Sequence, residues 1–474
     1  MKKKNSLFAS CILSAFLFTA ATASLSLEVN AEEQNPKRIE VTAGTEDAIT
    51  NALKDAVSGD TLIIHAGEYK EQICITTPNL TIKAEEGAIL NGEDISLENE
   101  SEVKSDSMVY IEADNVSISG LEIKGLKLHH ISKKIAPKGI YVAEGSDDVS
   151  ITNCTIHDMG IAEYDPAFNK ETDSYNAHGI LAEAQPYNPI KNLKIKKCTL
   201  YNLTLGNSEA LVVNGNVEKF EISGNYIHNC DNIGIDAIGY EQTTDEDSAE
   251  KVELDRAHDG RIFENIVKNN SSETNITYDY EGCAAGIYID GGRDIWVFDN
   301  FVSNCDTGIE VATEHLGKTV TGIKVTNNTL IENNGLAGII IGGSDPSENG
   351  DAKSCIFFNN TVYNTAGSCL TVQLAKDPSN VVKNNLFICK DEAEIYYADE
   401  ESYGTLNKDV PDNSITGNMF NEDISEEHAE VMDNNKTFEF KKISIPSNKT
   451  KDTTVIIEAS ENIQGFGSTG THIK

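Results

Sequence analysis

Three acidic residues, Asp236, Asp290 and Glu310, occupy equivalent places in short segments that are otherwise apolar. The segments share the pattern Gly-Ile-x-apolar-x: GIYVA from Gly139, GILAE from Gly179, GIDAI from Gly234, GIYID from Gly286, GIEVA from Gly308 and GIIIG from Gly338. ALVVN from Ala210 fills the same slot. Side chains alternate along a strand, so the Ile and the apolar residue face one way and both x residues the other. If such strands stack, successive rungs lie about 4.8 Å apart, and Asp236–Asp290 and Asp290–Glu310 become diagonal neighbours about 8 Å apart at the backbone. Flexible side chains bring such carboxyls to between about 5 and 9.5 Å, the span used by retaining and inverting glycosidases. Mutual repulsion raises the pKa of at least one, which supplies a protonated acid beside an ionised base or nucleophile.

The same outward rows carry Glu183, Asn214 and Tyr288, whose ring offers a stacking surface beside Asp290. Tyr240, Glu241 and Arg256 flank an insertion at 240–260, Glu314 and His315 follow the Glu310 segment, and His178 precedes Gly179. Some of these are expected to contact substrate, and the two histidines to serve either as proton carriers or as hydrogen-bonded structural residues. Asp245-Glu246-Asp247 with Glu250, Glu253 and Asp255 could hold calcium but lack the glycine turn and ordered spacing of a calcium loop, which favours a solvated acidic loop. Long segments at 157–178, 184–194, 240–260 and 269–284 bracket the carboxylate rungs and are expected to wall a groove.

The frame that positions these residues is written in a second repeat. VSITNCTIHD, LKIKKCTLYN, FEISGNYIHN, GRIFENIVKN, IWVFDNFVSN, IKVTNNTLIE, CIFFNNTVYN and NVVKNNLFIC align with Cys154, Cys198, Asn225, Asn265, Asn300, Asn328, Asn360 and Asn385 in one line, and SITGNMFN adds Asn418. Period-2 apolar alternation on both sides of a recurring Asn is the signature of one rung of a β-solenoid. Stacked Asn side chains satisfy turn backbone that would otherwise be buried without partners. A solenoid adds core along its axis, so one elongated domain over 35–440 is expected.

Lys2, Lys3 and Lys4 ahead of an apolar stretch from Leu7 to Leu27, with Val29-Asn30-Ala31 before Glu32, read as a secretory signal peptide over 1–31. The protein is therefore expected to be secreted, with no membrane span. Thr45-Glu46-Asp47 precede an amphipathic helix that caps the open end within a region of about 40–95. Residues 441–474 read as a C-terminal cap and tail. The formal charge of −38 argues against nucleic acid, anionic membrane and unassisted capture of anionic glycans as partners. The cysteines show no CxxC or zinc pattern, and Cys154 and Cys198 read as stacked core thiols.

GDTLIIHAGEYKEQICI (59–75), IGIDAIGYE (233–241) and GIYIDGGRDIWVFDNFVSNCDTGIEVATEH (286–315) resemble secreted bacterial right-handed β-helix repeat proteins of the pectate-lyase-like superfamily. The resemblance covers nearly the whole mature chain. It implies an all-β fold, a right-handed parallel β-helix with an N-terminal capping helix, and a carbohydrate substrate. The paired-Asp, Gly-His-Gly and Arg-Ile-Lys elements of polygalacturonases are absent, with Ala177-His178-Gly179 as a partial echo, so pectin is not implied. Three functions fit. The first is a glycosidase using two of Asp236, Asp290 and Glu310 with no required cofactor. The second is a polysaccharide lyase in which Ca2+ neutralises a uronate and Lys or Arg takes the proton. The third is a non-catalytic glycan binder. A lyase groove needs cations that the outward rows do not supply, which ranks the hydrolase first. A monomer is expected.

Overall fold

The repeat folds as a coil of three short strands. Trp296–Phe298, Phe301–Ser303 and Thr307–Ala312 are followed one coil later by Lys324–Thr326, Thr329–Ile331 and Ala337–Ile341, and each strand pairs in parallel with its successor. The computed structural model describes residues 35–97, 106–375, 379–397, 414–421, 434–459 and 463–473, and over these the coils build three long sheets of 13, 14 and 11 strands. This is the expected all-β parallel β-helix. The leader read in residues 1–31 lies outside the described residues.

Alternation fills the interior. Ile222, Ile262, Val297, Val325, Phe357, Val382 and Ile415 form one continuous inward column of the first sheet, in register and fully buried. Burying each such side chain contributes about 1.5–3 kcal/mol relative to leaving it in water.

The corner between the first two strands explains the Asn line. The residue before each ladder position has positive φ, among them Glu264 (54°), Asp299 (55°), Asn327 (59°), Asn359 (61°) and Asn384 (58°). That turns the chain sharply and aims the next side chain inward, and it is why Asn, Asp and Gly dominate there. Inside the corner, Asn300 Oδ1 accepts from the Asn265 backbone N–H (3.1 Å) and from Asn265 Nδ2 (2.9 Å), while Asn300 Nδ2 donates to Ile262 O (2.9 Å). The pattern repeats through Asn328, Asn360, Asn385 and Asn418 and continues to Asn435. Cys198 closes the series by donating its backbone N–H to Asn225 (2.9 Å). A second ladder, not read from the sequence, occupies the next corner: Cys305 N–H donates to Asn333 (3.1 Å) and Asn333 N–H to Asn364 (3.0 Å).

The helix Ala48–Asp55 buries Ile49 and Leu53 against the first coils, as a cap should. Its N-terminus is not satisfied by Asp47, which makes no side-chain capping bond. The Glu71 carboxylate accepts from the Ile49 and Thr50 N–H groups instead (2.9 and 2.8 Å), placing negative charge at the positive end of the helix from outside it. At the other end, the described part of the segment expected as an end cap lies along the flank. Val455, Ile457 and Ile463 pack on Phe301, Ile331 and Tyr363 of the second sheet. Buried Lys268 donates to the Ser447, Thr450 and Asp452 carbonyls. Among the described residues no helix is long and apolar enough to cross a membrane.

Candidate functional site

The third sheet carries the Gly-Ile strands, and their first residue sets the geometry. A Cβ on Gly139 would lie 2.8 Å from Ile156 Cγ2 and 2.5 Å from Gly179 O, and one on Gly286 would lie 2.3 Å from Val302 Cγ1. The glycine therefore takes an inward place next to the inward Ile. The Gly179 and Ile180 N–H groups both donate to Ala210 O (3.0 and 2.9 Å), as in a bulge. Two consecutive inward positions break strict alternation, and the residue before the glycine turns outward.

Three outward columns result. Residues preceding the slot contribute Lys138, His178, Glu209 and Ile233; the first x column contributes Leu181, Val212, Asp236 and Tyr288; the second contributes Glu183, Asn214, Ile238 and Asp290. All twelve line one cleft of about 600 Å3. Its walls include Asn176, Tyr278 and Glu241, from three of the four expected insertions, together with Asn207, Ser208 and Glu314. The fourth insertion, 184–194, does not reach the cleft.

Register confirms the neighbours. Asp236 pairs with Tyr288, and Tyr288 with Glu310, one rung at a time, while Asp290 lies two residues along from Tyr288. Asp236 and Asp290 are thus diagonal neighbours on adjacent rungs, and both are buried, at 2% and 5% exposure. Glu310 is separated from Asp236 by the Tyr288 ring and does not line the cleft, which removes it from the expected carboxylate trio. Burial first, and then Glu314, pushes its carboxyl up to about 8.

The floor is acidic and its carboxyls are buried. Burial holds Asp236 well above the ordinary carboxylate range, reinforced by Glu209, Asp290 and Glu314. Asp290 is raised by burial and then by Glu314, and is held back by the Glu314 backbone N–H, which donates to it at 3.0 Å. Glu209, which strict alternation missed, is raised by burial and by Glu241, Glu314 and Asp290. His178 is driven down to about 3 by burial, with Lys138 adding to it. Its Nδ1 meets Glu209 O at 3.2 Å; a carbonyl only accepts, so Nδ1 carries the proton and Nε2 is the basic nitrogen. Lys138 lies 3.3 Å from Asp106, both nearly buried.

Asn214 donates to Glu241 (2.6 Å), and Glu183 accepts from Tyr141 (2.9 Å) and Gln242 (3.2 Å). Two cleft-lining oxygens, Asp236 Oδ1 and Asn214 Oδ1, are buried with no hydrogen-bond partner among the described residues. Such acceptors are costly unless a donor arrives from outside.

Three expected substrate contacts lie elsewhere. Arg256 is buried and spends its guanidinium on Gly291 O, Gly292 O, Thr319 O and Thr321 Oγ1 (2.8–3.0 Å). Tyr240 donates to the same Thr319 carbonyl (2.8 Å) and lies under Arg256, with His315 edge-on to its ring at 5.9 Å. The trio clamps the 240–260 insertion to the next two coils. Four carboxylates of the acidic run in that insertion already have partners: Asp247 with Lys251, Asp245 with Lys318, Glu253 with Arg256 and Arg293, and Asp255 with Gln242 and Thr243. Among the described residues no group of three or more His, Cys, Asp or Glu side chains converges as a metal-ligand set.

A family model described as a right-handed β-helix region matches residues 79–351. The uncharacterized protein YwoF of Bacillus subtilis (strain 168) is 31% identical over 349 residues, covering 71% of this chain and 69% of that protein. Among solved structures, the Family 28 exopolygalacturonase of Yersinia enterocolitica aligns with a TM-score of 0.50 at 13% identity, over 77% of this chain and 78% of that one. The GH136 lacto-N-biosidase of Eubacterium ramulus aligns with a TM-score of 0.51 at 14% identity, over 85% and 68%. At these identities the likeness is one of fold.

Proposed function

The chain belongs to the right-handed β-helix family, and on that premise we propose that the cleft of its third sheet binds a neutral or mixed glycan and hydrolyses a glycosidic bond. The reading is carried by one observation: Asp236 and Asp290 sit on adjacent rungs of the cleft floor in unequal environments. Asp236 has an unpartnered oxygen and three acidic neighbours, so it is the carboxyl kept protonated and serves as the acid. Asp290 is raised too, by burial and Glu314, but it accepts the Glu314 backbone N–H at 3.0 Å, which favours its ionised form, so of the pair it is the one that acts on water or on the anomeric carbon. Glu209 holds the proton on Asp236 by repulsion, while Asn214 Oδ1 and neutral His178 accept substrate hydroxyls. A polyhydroxylated ligand supplies the donors that the buried oxygens need. Two solved proteins that share the fold bear glycosidase names.

We place the protein outside the cell, as a monomer, from the signal-like residues 1–31 and the fold. The hydrolysis needs no cofactor. The decisive experiment is product mass on a panel of defined glycans with the parent chain, Asp236→Asn and Asp290→Asn. Reducing ends lost in both variants support the reading, and glycan retention without turnover by the parent refutes it in favour of a binder. A second reading has one observation behind it: Lys138 lines the cleft and burial lowers its pKa, as suits a base in β-elimination. Calcium would enter under that reading alone. Unsaturated, ultraviolet-absorbing products lost in Lys138→Met and on chelation would establish it.

A further inference from the structure

The first sheet presents a different outward face. Phe263, Trp296, Phe298 and Phe358 project from three nearby rungs. The Phe263 and Phe298 rings stack at 4.8 Å, and Trp296 lies against Phe298 at 4.2 Å. Trp296 is 44% and Phe358 40% exposed. The indole is not loose, because its Nε1–H donates to Thr326 Oγ1 at 2.6 Å. Phe263 and Phe298 cover each other's faces, and the rings left exposed on this rigid aromatic cluster are Trp296 and Phe358.

Its charge runs against the rest of the molecule. Between the strands Lys194–Lys196 and Val381–Lys383, the outward positions of this sheet carry Lys194, Lys196, Arg261, Lys324 and Lys383 against Glu221 alone. The whole chain holds 38 basic and 76 acidic residues, so the local ratio reverses the global one. Arg261 lies over the Phe263 ring, 5.7 Å from its centroid. The described C-terminal segment packs on the second sheet and not on this one.

We propose that this face is a binding platform for an extended acidic polysaccharide, separate from the cleft. Pyranose rings pack on the exposed Trp296 and Phe358 rings, and uronate carboxylates meet the flanking cations. From the Arg261–Phe263 rung onward, rungs bearing an aromatic ring alternate with rungs bearing a cation, so an extended polymer lying along the coil meets both kinds of contact in turn. The acidic cleft repels such a polymer and the basic ledge attracts it. The protein would be held on an acidic matrix by one face while the other works on neutral linkages. The inference does not rest on the catalytic reading.

The test measures binding to immobilised polygalacturonate, and to the same polymer with its carboxylates methyl-esterified, using the Asp290→Asn chain so that turnover does not intervene. The expected result is binding to the acid form that weakens with salt. Adding Trp296→Ala lowers affinity by about tenfold, Lys324→Glu lowers it by a smaller factor, and esterification has a similar effect. Unchanged melting temperatures show that both variants stay folded. Absence of binding, or binding that neither substitution alters, overturns the proposal. So does self-association in sedimentation that Trp296→Ala abolishes, because the face would then belong to a second copy. Product formation on oligosaccharides reports the cleft reading separately.

Discussion

Two kinds of column run along the same coil and obey opposite rules. The corner column repeats one residue, Asn, from Asn225 to Asn435, each side chain completing the bonds of its neighbour. The outward column over the cleft changes on every rung, from Leu181 and Val212 to Asp236 and Tyr288. Repetition marks positions whose partners are copies of themselves. Variation marks positions whose partner is not part of the protein.

Substitutions can break that contrast from either side. The largest effect is expected at the varied column: Asp290→Asn or Asp236→Asn should lower the rate by about 10²- to 10⁴-fold. Asp290→Asn should also raise the melting temperature at neutral pH, because a buried charge is replaced by a neutral isostere. A loss of stability instead would place this carboxylate among the structural columns. Next comes Asn300→Ala, which leaves two Asn265 donors and the Ile262 carbonyl unpartnered. It should cost about 3 kcal/mol in denaturant unfolding with activity per folded molecule intact. Gly286→Ala drives a Cβ into Val302 and should cost about 1–3 kcal/mol, with some loss of rate because the strand bearing Asp290 shifts.

The smallest effect is a pH slope. A carboxyl raised on folding binds its proton more tightly in the native state, so it contributes most to stability below its unfolded pKa. That contribution is lost as pH rises through the folded value. For Glu310 the window runs from about 4.3 to about 8. Stability followed by denaturation across that range should decline, and Glu310→Gln should flatten part of the decline.

The coil, the Asn ladder and the outward x columns were legible because each rests on a periodicity that a single sequence displays. Glu209 and Lys138 were not, because the glycine after Lys138 and the alanine after Glu209 turn inward and shift the phase by one. The signal was present, as a charged or polar residue immediately before the Gly-Ile slot on three successive rungs. Arg256, Tyr240 and His315 were read as substrate contacts from their place beside an insertion. A guanidinium there serves equally well to satisfy four backbone and side-chain oxygens of the next two coils, and only the fold distinguishes the two. Glu310 failed as a member of the trio through one neighbour, the Tyr288 ring, whose size no periodicity reports.

The buried thiols extend the solenoid into a measuring device. Cys154, Cys198, Cys230, Cys305, Cys355 and Cys389 lie at successive heights inside the coil, and none is in a disulfide. Each of these sulfurs is sealed from reagents until its own rung opens. Timed alkylation read by peptide mass would chart the order in which the rungs come apart, with no label added.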